Sequence, residues 1–259
     1  MKIYIPTRSR IDKQITWNSL TPKLRAVVMF VVNHNEKGTE HLPGPVIRCP
    51  RNINSIGGVR QYIVDYHYKR KVGPHLIMLD DDLRFFIRRN DDPTKFQRIL
   101  DTELNECFTT VDTLLHSYPN IGILHREGAN RVGSPIVECT RLLRALAYNV
   151  TVLRKVKARF DRLIVMEDFD VALQLLRAGY KTCAVAEYVQ DQTGSNAPGG
   201  CSDYRTLKRQ AEGAKGLAKL HAPFVKLVVK KTKTAWGGAT RTDVTVRWKD
   251  AYASSQQEK

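Results

Sequence analysis

In this chain the apolar run His75-Leu76-Ile77-Met78-Leu79 leads straight into three carboxylates, Asp80-Asp81-Asp82. Adjacent carboxylates repel one another and require a cationic companion. Their hard oxygen ligands suit Mg²⁺ or Mn²⁺. Such an ion can bridge a diphosphate and neutralise the charge that develops as it leaves. Strand alternation places Asp80 and Asp82 on one side and Asp81 on the other. The plainer alternative is a solvated acidic turn at a strand end. A second acidic group, Met166-Glu167-Asp168-Phe169-Asp170, precedes a helix. Asp168 there could cap the helix, where a carboxylate meets free N–H groups and the dipole. It could also act as general base, taking the proton of an attacking hydroxyl. Both roles are compatible, with Glu167 and Asp168 dividing them.

Elements must bring these groups together. Lys2 to Pro6 reads as a first strand ending in the polar loop Thr7 to Arg10, followed by a helix around Trp17 to Leu24. Ala26 to Val32 is a continuous apolar run, the pattern of a parallel strand covered on both faces. Ser55 is placed to cap a helix from about Gly58 to Arg70, whose apolar face is Val59, Tyr62, Ile63 and Tyr66. His75 to Leu79 is another buried strand. A further helix carries Leu104, Phe108, Val111 and Leu115, and Ile121 to Leu124 and Val150 to Leu153 read as strands. A helix begins at Asp168 or Phe169, buries Val171, Leu175 and Leu176, and stops at Gly179. Alternating strands and helices predict an α/β fold with an open, mostly parallel, Rossmann-like sheet flanked by helices. Ligands of such sheets bind at the carboxyl ends of the strands, where Asp80 to Asp82 lie. Val225 to Lys233 and Thr242 to Trp248, around Trp236-Gly237-Gly238, predict a C-terminal β-hairpin. The expected division is a core over 1–224 and a basic hairpin and tail over 225–259, packed on it.

Composition narrows the partners. The 259 residues suffice for one α/β core, and no apolar run approaches the roughly 20 residues of a membrane span. The opening residues turn polar at Thr7-Arg8-Ser9-Arg10, unlike a signal peptide. Cys49, Cys107, Cys139, Cys183 and Cys201 are scattered without metal spacing, which argues for free thiols in a reducing cytoplasm and against structural zinc. The net charge is +16, and the last 55 residues hold 13 Lys/Arg against 4 Asp/Glu. That concentration points to a polyanion partner more than to a generally basic surface. Lys230, Lys231, Lys233, Arg241, Arg247 and Lys249 are the candidate phosphate contacts. Trp236 could stack on a base; Trp248 could too, but its place at the end of the hairpin favours packing beneath it.

Ile3-Tyr4-Ile5-Pro6-Thr7-Arg8, Leu79-Asp80-Asp81-Asp82 and Arg154…Glu167-Asp168-Phe169-Asp170…Leu175…Gly179-Tyr180 together resemble the GT-A class of glycosyltransferases. Ser55-Ile56-Gly57-Gly58-Val59-Arg60-Gln61-Tyr62 and the segment 192–205 around Ser195-Asn196-Ala197-Pro198-Gly199-Gly200 narrow the likeness. They resemble the TET-associated glycosyltransferases, phage enzymes found alongside TET/JBP-type oxygenases. The resemblance runs from Met1 to about Trp248. It implies a Rossmann-like GT-A fold and metal-dependent transfer from a nucleotide-sugar, taken to be a UDP-sugar, onto 5-hydroxymethylated pyrimidines in DNA. By the same resemblance Pro6, Thr7 and Arg8 line the nucleotide pocket, Asp80 contacts the nucleotide-sugar, Asp82 holds Mn²⁺ or Mg²⁺, and Asp168 is the base. The implied transfer is a direct attack with inversion, with retention left open. Many GT-A enzymes add a late histidine as metal ligand; His221 is the candidate here, against a purely structural role.

Other residues carry less. Arg60 and Gln61 could meet phosphate or sugar hydroxyls near a helix N-terminus, or belong to a plain surface helix; Asp81, in the acidic run after the strand, is a further candidate contact to the nucleotide-sugar. Backbone N–H groups of 195–200 could face the diphosphate or an extruded base. The competing functions are a glycosyltransferase for polysaccharide or protein, an inactive DNA-binding module, and a metal-dependent nuclease, since clustered carboxylates serve two-metal chemistry as well.

Overall fold

A computed structural model describes residues 1–192, 200, 204–232 and 238–257. In chain order the elements are β1 (Lys2–Pro6), α1 (Ile15–Ser19), α2 (Pro22–Arg25), β2 (Val28–Val32), β3 (Val46–Arg48), α3 (Ile56–Lys69) and β4 (His75–Leu79). There follow β5 (Leu83–Arg88), β6 (Phe96–Arg98), α4 (Asp101–Leu114), β7 (Asn120–His125), β8 (Ile136–Glu138), β9 (Ala145–Asn149) and α5 (Val150–Lys155). The chain ends with α6 (Glu167–Arg177), β10 (Cys183–Gln192), α7 (Leu207–Leu220), β11 (Val225–Lys231), β12 (Thr240–Val246) and α8 (Trp248–Gln257).

Ten strands form one sheet in the order β3-β2-β1-β4-β9-β7-β10-β5-β6, with β8 beside β10. Strands β1, β2, β3, β4, β6, β7 and β10 run one way and β5, β8 and β9 the other. The expected α/β class, a mostly parallel sheet between helices with a C-terminal hairpin, is what the residues build. Strand β4 is buried along its length because both faces are covered. On one side α4 brings Leu104, Phe108 and Val111 against the sheet. On the other, α3, α5 and α6 bring Ile63, Leu153, Val171 and Leu175. The opposite side of α6 (Leu173, Leu176) packs with Ala214 and Leu217 of α7, Val225 and Val244 of the hairpin, and Ala251 of α8. Helix α6 is thus gripped from two sides, which fixes its first turn. Cys49, Cys107, Cys139 and Cys183 are buried free thiols. No helix among the described residues is long and apolar enough to cross a membrane.

Three local expectations need correction. The helix expected over Trp17 to Leu24 is two pieces, because the Thr21 side chain accepts from Leu24 N–H (3.2 Å) and Pro22 starts a new turn. Val150 to Leu153 is helical rather than a strand: the Asn149 side chain caps Val152 N–H (3.2 Å), and the strand is the preceding Ala145–Asn149. Asp80 to Asp82 do not alternate, because β4 ends at Leu79 and they form the turn into β5.

Candidate active site

A cleft of about 420 Å³ opens over the carboxyl ends of β1 and β4. The loop after β1 supplies Pro6, Thr7 and Arg8, as expected, together with Arg10. The Thr7 hydroxyl donates to Asp81 Oδ2 (2.7 Å), and Gln14 Nε2 donates to the same hydroxyl (3.0 Å). Arg10 Nη1 donates to Asp81 Oδ1 and to Asp82 Oδ2, both at 2.9 Å. Asp81 and Asp82 therefore share one guanidinium, while Asp80 turns to another. The turn is tied down from below: the Thr16 hydroxyl donates to the Asp80 carbonyl, and Leu83 N–H donates to that hydroxyl (2.8 Å).

Arg60 is delivered by the start of the second turn of α3. Ser55 accepts from Gly58 N–H (3.1 Å), the predicted cap. Gly57 lets the helix press on its neighbour, since a Cβ there would lie 2.4 Å from the Phe160 carbonyl oxygen. Arg60, with its side chain 5% exposed, donates from Nη1 to Glu167 Oε1 (2.8 Å) and from Nη2 to Asp80 Oδ1 (3.3 Å). It links the acidic turn after β4 to the start of α6. Burial weakens the case for a charged Arg60, but Glu167 and then Asp80 outweigh it and keep the guanidinium protonated. Burial pushes Glu167 up to about 7, with Arg60 opposing and Asp168 adding to the rise. Asp80 keeps a third of its side chain open, yet its position deep in the cleft pushes it up to about 6, against the pull of Arg60. Burial also raises Asp81, against the Thr7 hydrogen bond and Arg10.

Asp168 is half-buried and lines the cleft; its Oδ1 accepts from Phe169 N–H (3.0 Å). The helix starts one residue earlier than expected, with Met166 at its N-cap, so Asp168 is not the cap but sits within the first turn and faces the cavity. Glu167, 7% exposed and engaged by Arg60, faces inward. Of the predicted residues, the cleft gathers Pro6, Thr7, Arg8, Arg60, Asp80, Asp81, Asp82, Glu167, Asp168 and Arg241. Arg241 sits on Asp243 (2.8 Å), and both line the cavity. Lys230 pairs with Asp243 (3.5 Å), Lys231 is exposed, and Arg247 pairs with Asp250 (3.0 Å). Lys233, Trp236 and the motif 195–199 lie outside the described residues. Trp248 starts α8 and packs on Phe169, ring centroids 5.4 Å apart.

His221 is elsewhere. Its Nε2 bonds Asp170 Oδ1 (2.6 Å), where Arg162 also donates (2.7 Å), on the wall of a different cavity. With both its own surface and that of Asp170 buried, it is a structural partner of α6 and not a companion of Asp82. Among the described residues no three His, Cys, Asp or Glu side chains gather to hold a metal.

Several lining residues escaped the sequence reading. They include Arg10, His125, Arg141, Arg144, Tyr204, Arg205 and Asp243. Tyr204 lies under Arg8 (5.4 Å to the ring centroid) and its oxygen accepts from Ile56 N–H (2.9 Å). Arg10, inside the polar loop after β1, and Tyr204 and Arg205, at the end of the segment 192–205, lay in stretches with a local signal; the others did not. Among the described residues every basic group lining the cleft, histidine apart, is an arginine: Arg8, Arg10, Arg60, Arg141, Arg144, Arg205 and Arg241.

The model of one protein family, described as TET-Associated Glycosyltransferase, matches residues 1–200. No curated protein matches the chain in sequence. Similar solved structures include A197 from STIV, with 10% identity, 75% of this chain and 87% of that one covered, and a TM-score of 0.40. A cytidylyltransferase from Leptospira borgpetersenii serovar Hardjo-bovis has 12% identity over 60% of this chain and 63% of its own, TM-score 0.36. GalNAc-T7 with UDP, GalNAc and Mn²⁺ has 12% identity over 83% of this chain and 47% of its own, TM-score 0.49.

Proposed function

The chain belongs to the TET-associated glycosyltransferase family, and on that premise we propose that its cleft moves a sugar from a nucleotide-sugar, a UDP-sugar, to a 5-hydroxymethylated pyrimidine in DNA. The observation that carries this reading is the convergence of two acidic groups remote in sequence. Arg60 reaches Glu167 at 2.8 Å and Asp80 at 3.3 Å, so the base and the diphosphate-side carboxylates share one cavity.

The residues fit a divalent cation. Asp82 Oδ1 is buried without a hydrogen-bond partner, and Mg²⁺-type ions are commonly held by one or two carboxylates plus substrate phosphates. Asp82, with Asp80, would hold Mn²⁺ or Mg²⁺, which supplies charge neutralisation on the departing diphosphate. Pro6, Thr7 and Arg8 receive the nucleotide, with Tyr204 bracing Arg8. Asp168 accepts the proton of the base's hydroxymethyl group as its oxygen bonds to the anomeric carbon, and the bond from that carbon to the diphosphate breaks. The nucleoside diphosphate departs with the bonding electrons. Lys230, Lys231, Lys233, Arg241 and Arg247, with Trp236, belong to the DNA side, and the excess of +9 over the last 55 residues supports a polyanionic acceptor.

The test is mass spectrometry of nucleosides after incubating hydroxymethylated DNA with a panel of sugar nucleotides and Mn²⁺. A hexosylated hydroxymethylpyrimidine is expected. Asp168→Asn should lower single-turnover transfer by about 10²-fold or more while donor affinity and melting temperature hold. Wild-type transfer by a folded D168N protein would defeat the assignment.

A further inference from the structure

Five of the seven cleft arginines are engaged within the protein. Arg10 holds Asp81 and Asp82, Arg60 holds Glu167 and Asp80, Arg205 donates to Gln210 Oε1 (3.0 Å), Arg241 donates to Asp243, and Arg8 covers Tyr204. Arg141 and Arg144 differ. Both line the cavity, yet among the described residues neither guanidinium makes a hydrogen bond or an ion pair. Arg141 is exposed and lies 4.8 Å over the ring of Phe169, the residue after Asp168. Arg144 is half-buried at the start of β9, and its carbonyl accepts Asp80 N–H (3.0 Å). Its backbone takes φ 67, an uncommon conformation for a side-chain-bearing residue. Burial, and Arg141 through space, hold its guanidinium below the usual range, with Asp80 and Asp82 opposing. Burial and the same two arginines lower His125 at the end of β7.

Two guanidiniums that feel each other's charge, one half-buried and neither in an ion pair, are stabilised by an anion placed against both, beyond what Asp80 and Asp82 supply to Arg144 through space. The guanidinium fork matches a phosphate in two-point contact. Their position selects which phosphate. The nucleotide side is assigned to the loop after β1 and the acidic turn, to which Arg144 is joined through its carbonyl, whereas Arg141 lies over Phe169, the residue after Asp168, and so turns the pair toward the acceptor.

We propose that Arg141 and Arg144 clamp a backbone phosphate of the acceptor strand, next to the hydroxymethylated nucleotide presented to Asp168. This rests on the reading of DNA as acceptor. Clamping one phosphate would set how far the target nucleotide enters, so the pair governs register as well as affinity.

The test uses the full chain and Arg141→Gln, Arg144→Gln and Arg144→Lys variants. Binding of a fluorescent hydroxymethylated oligonucleotide is followed by anisotropy across a salt series, and donor affinity is measured separately by calorimetry with Mn²⁺. Each Gln variant should raise the oligonucleotide Kd about tenfold and flatten the log Kd against log salt slope by about 1. Arg144→Lys should restore the slope but only part of the affinity, and donor Kd should stay within about twofold, as expected where the lost contact is to the acceptor strand. Weakened donor binding with unchanged oligonucleotide binding would reassign the pair to the donor's diphosphate and overturn the proposal. Unchanged binding of both would overturn it too. Sugar transfer by the wild type to the same oligonucleotide reports on the parent reading, so the two can fail separately.

Discussion

Glu167→Gln isolates the electrostatics of the buried acid beside Asp168. Glu167 is raised from its ordinary 4.5 to about 7, chiefly by burial, with Arg60 opposing. A carboxyl raised on folding is most favourable to the fold when protonated: its contribution is fully present below about 4.5 and is lost as pH climbs through 7. Shared with its partner Arg60, a rise in this direction corresponds to at most about 3 kcal/mol between pH 4.5 and pH 8. For a chain of this length that bounds the fall in melting temperature at roughly 6–12 °C over the same range. Asp80 adds in the same direction, but less, because water reaches it through the cleft. Gln cannot ionise, yet its amide oxygen can still accept from Arg60. The variant should therefore match the wild type near pH 4.5, melt higher than it at pH 8, and show a flatter profile between. Differential scanning fluorimetry from pH 4.5 to 8 reads this directly. A Glu167→Gln protein that loses stability with pH as steeply as the wild type would show that Glu167 is not the titrating group.

Two further outcomes follow from contacts away from the chemistry. Gly57→Ala places a Cβ against the Phe160 carbonyl. It should destabilise by about 1–3 kcal/mol, and since the shift passes to Arg60, activity should fall as well; an unchanged melting curve would disprove the close packing of α3. Asp170→Asn leaves Arg162 and His221 without their shared carboxylate. It should cost about 3–5 kcal/mol in thermal unfolding while any Mn²⁺ affinity measured for the wild type at low temperature is unchanged; a large loss of Mn²⁺ binding would return His221 as a candidate ligand.

The parts of this fold legible in the sequence are those whose signals are local. The buried run His75 to Leu79, Ser55 as a cap, the amphipathic face of α6 and its stop at Gly179 each declare themselves within a few residues. The acidic turn and Glu167-Asp168 were legible for the same reason: carboxylates next to a strand or helix end are unusual enough to notice. The orientation of Asp81 was not, because it depends on Arg10 and Thr7, seventy residues earlier, and strand alternation says nothing once the strand has ended. Arg141 and Arg144 precede a strand that pairs antiparallel with β4 and β7. Nothing in Arg141-Leu142-Leu143-Arg144 itself announces that pairing. His221 is the converse case: a histidine in the expected stretch of chain that packing carries to the far side of α6.

Among the described residues, every basic side chain lining the cleft apart from His125 is an arginine, including Arg241 of the hairpin, whereas the hairpin strand β11 bears lysines at 226, 230 and 231. Guanidinium groups stay protonated across the working range and resist acylation, whereas amines do not. Acetylation or an amine-directed reagent would therefore strip the outer surface while sparing the pocket; on the proposed reading, it would remove the long-range attraction to a polyanionic acceptor and leave the pocket's own charges in place.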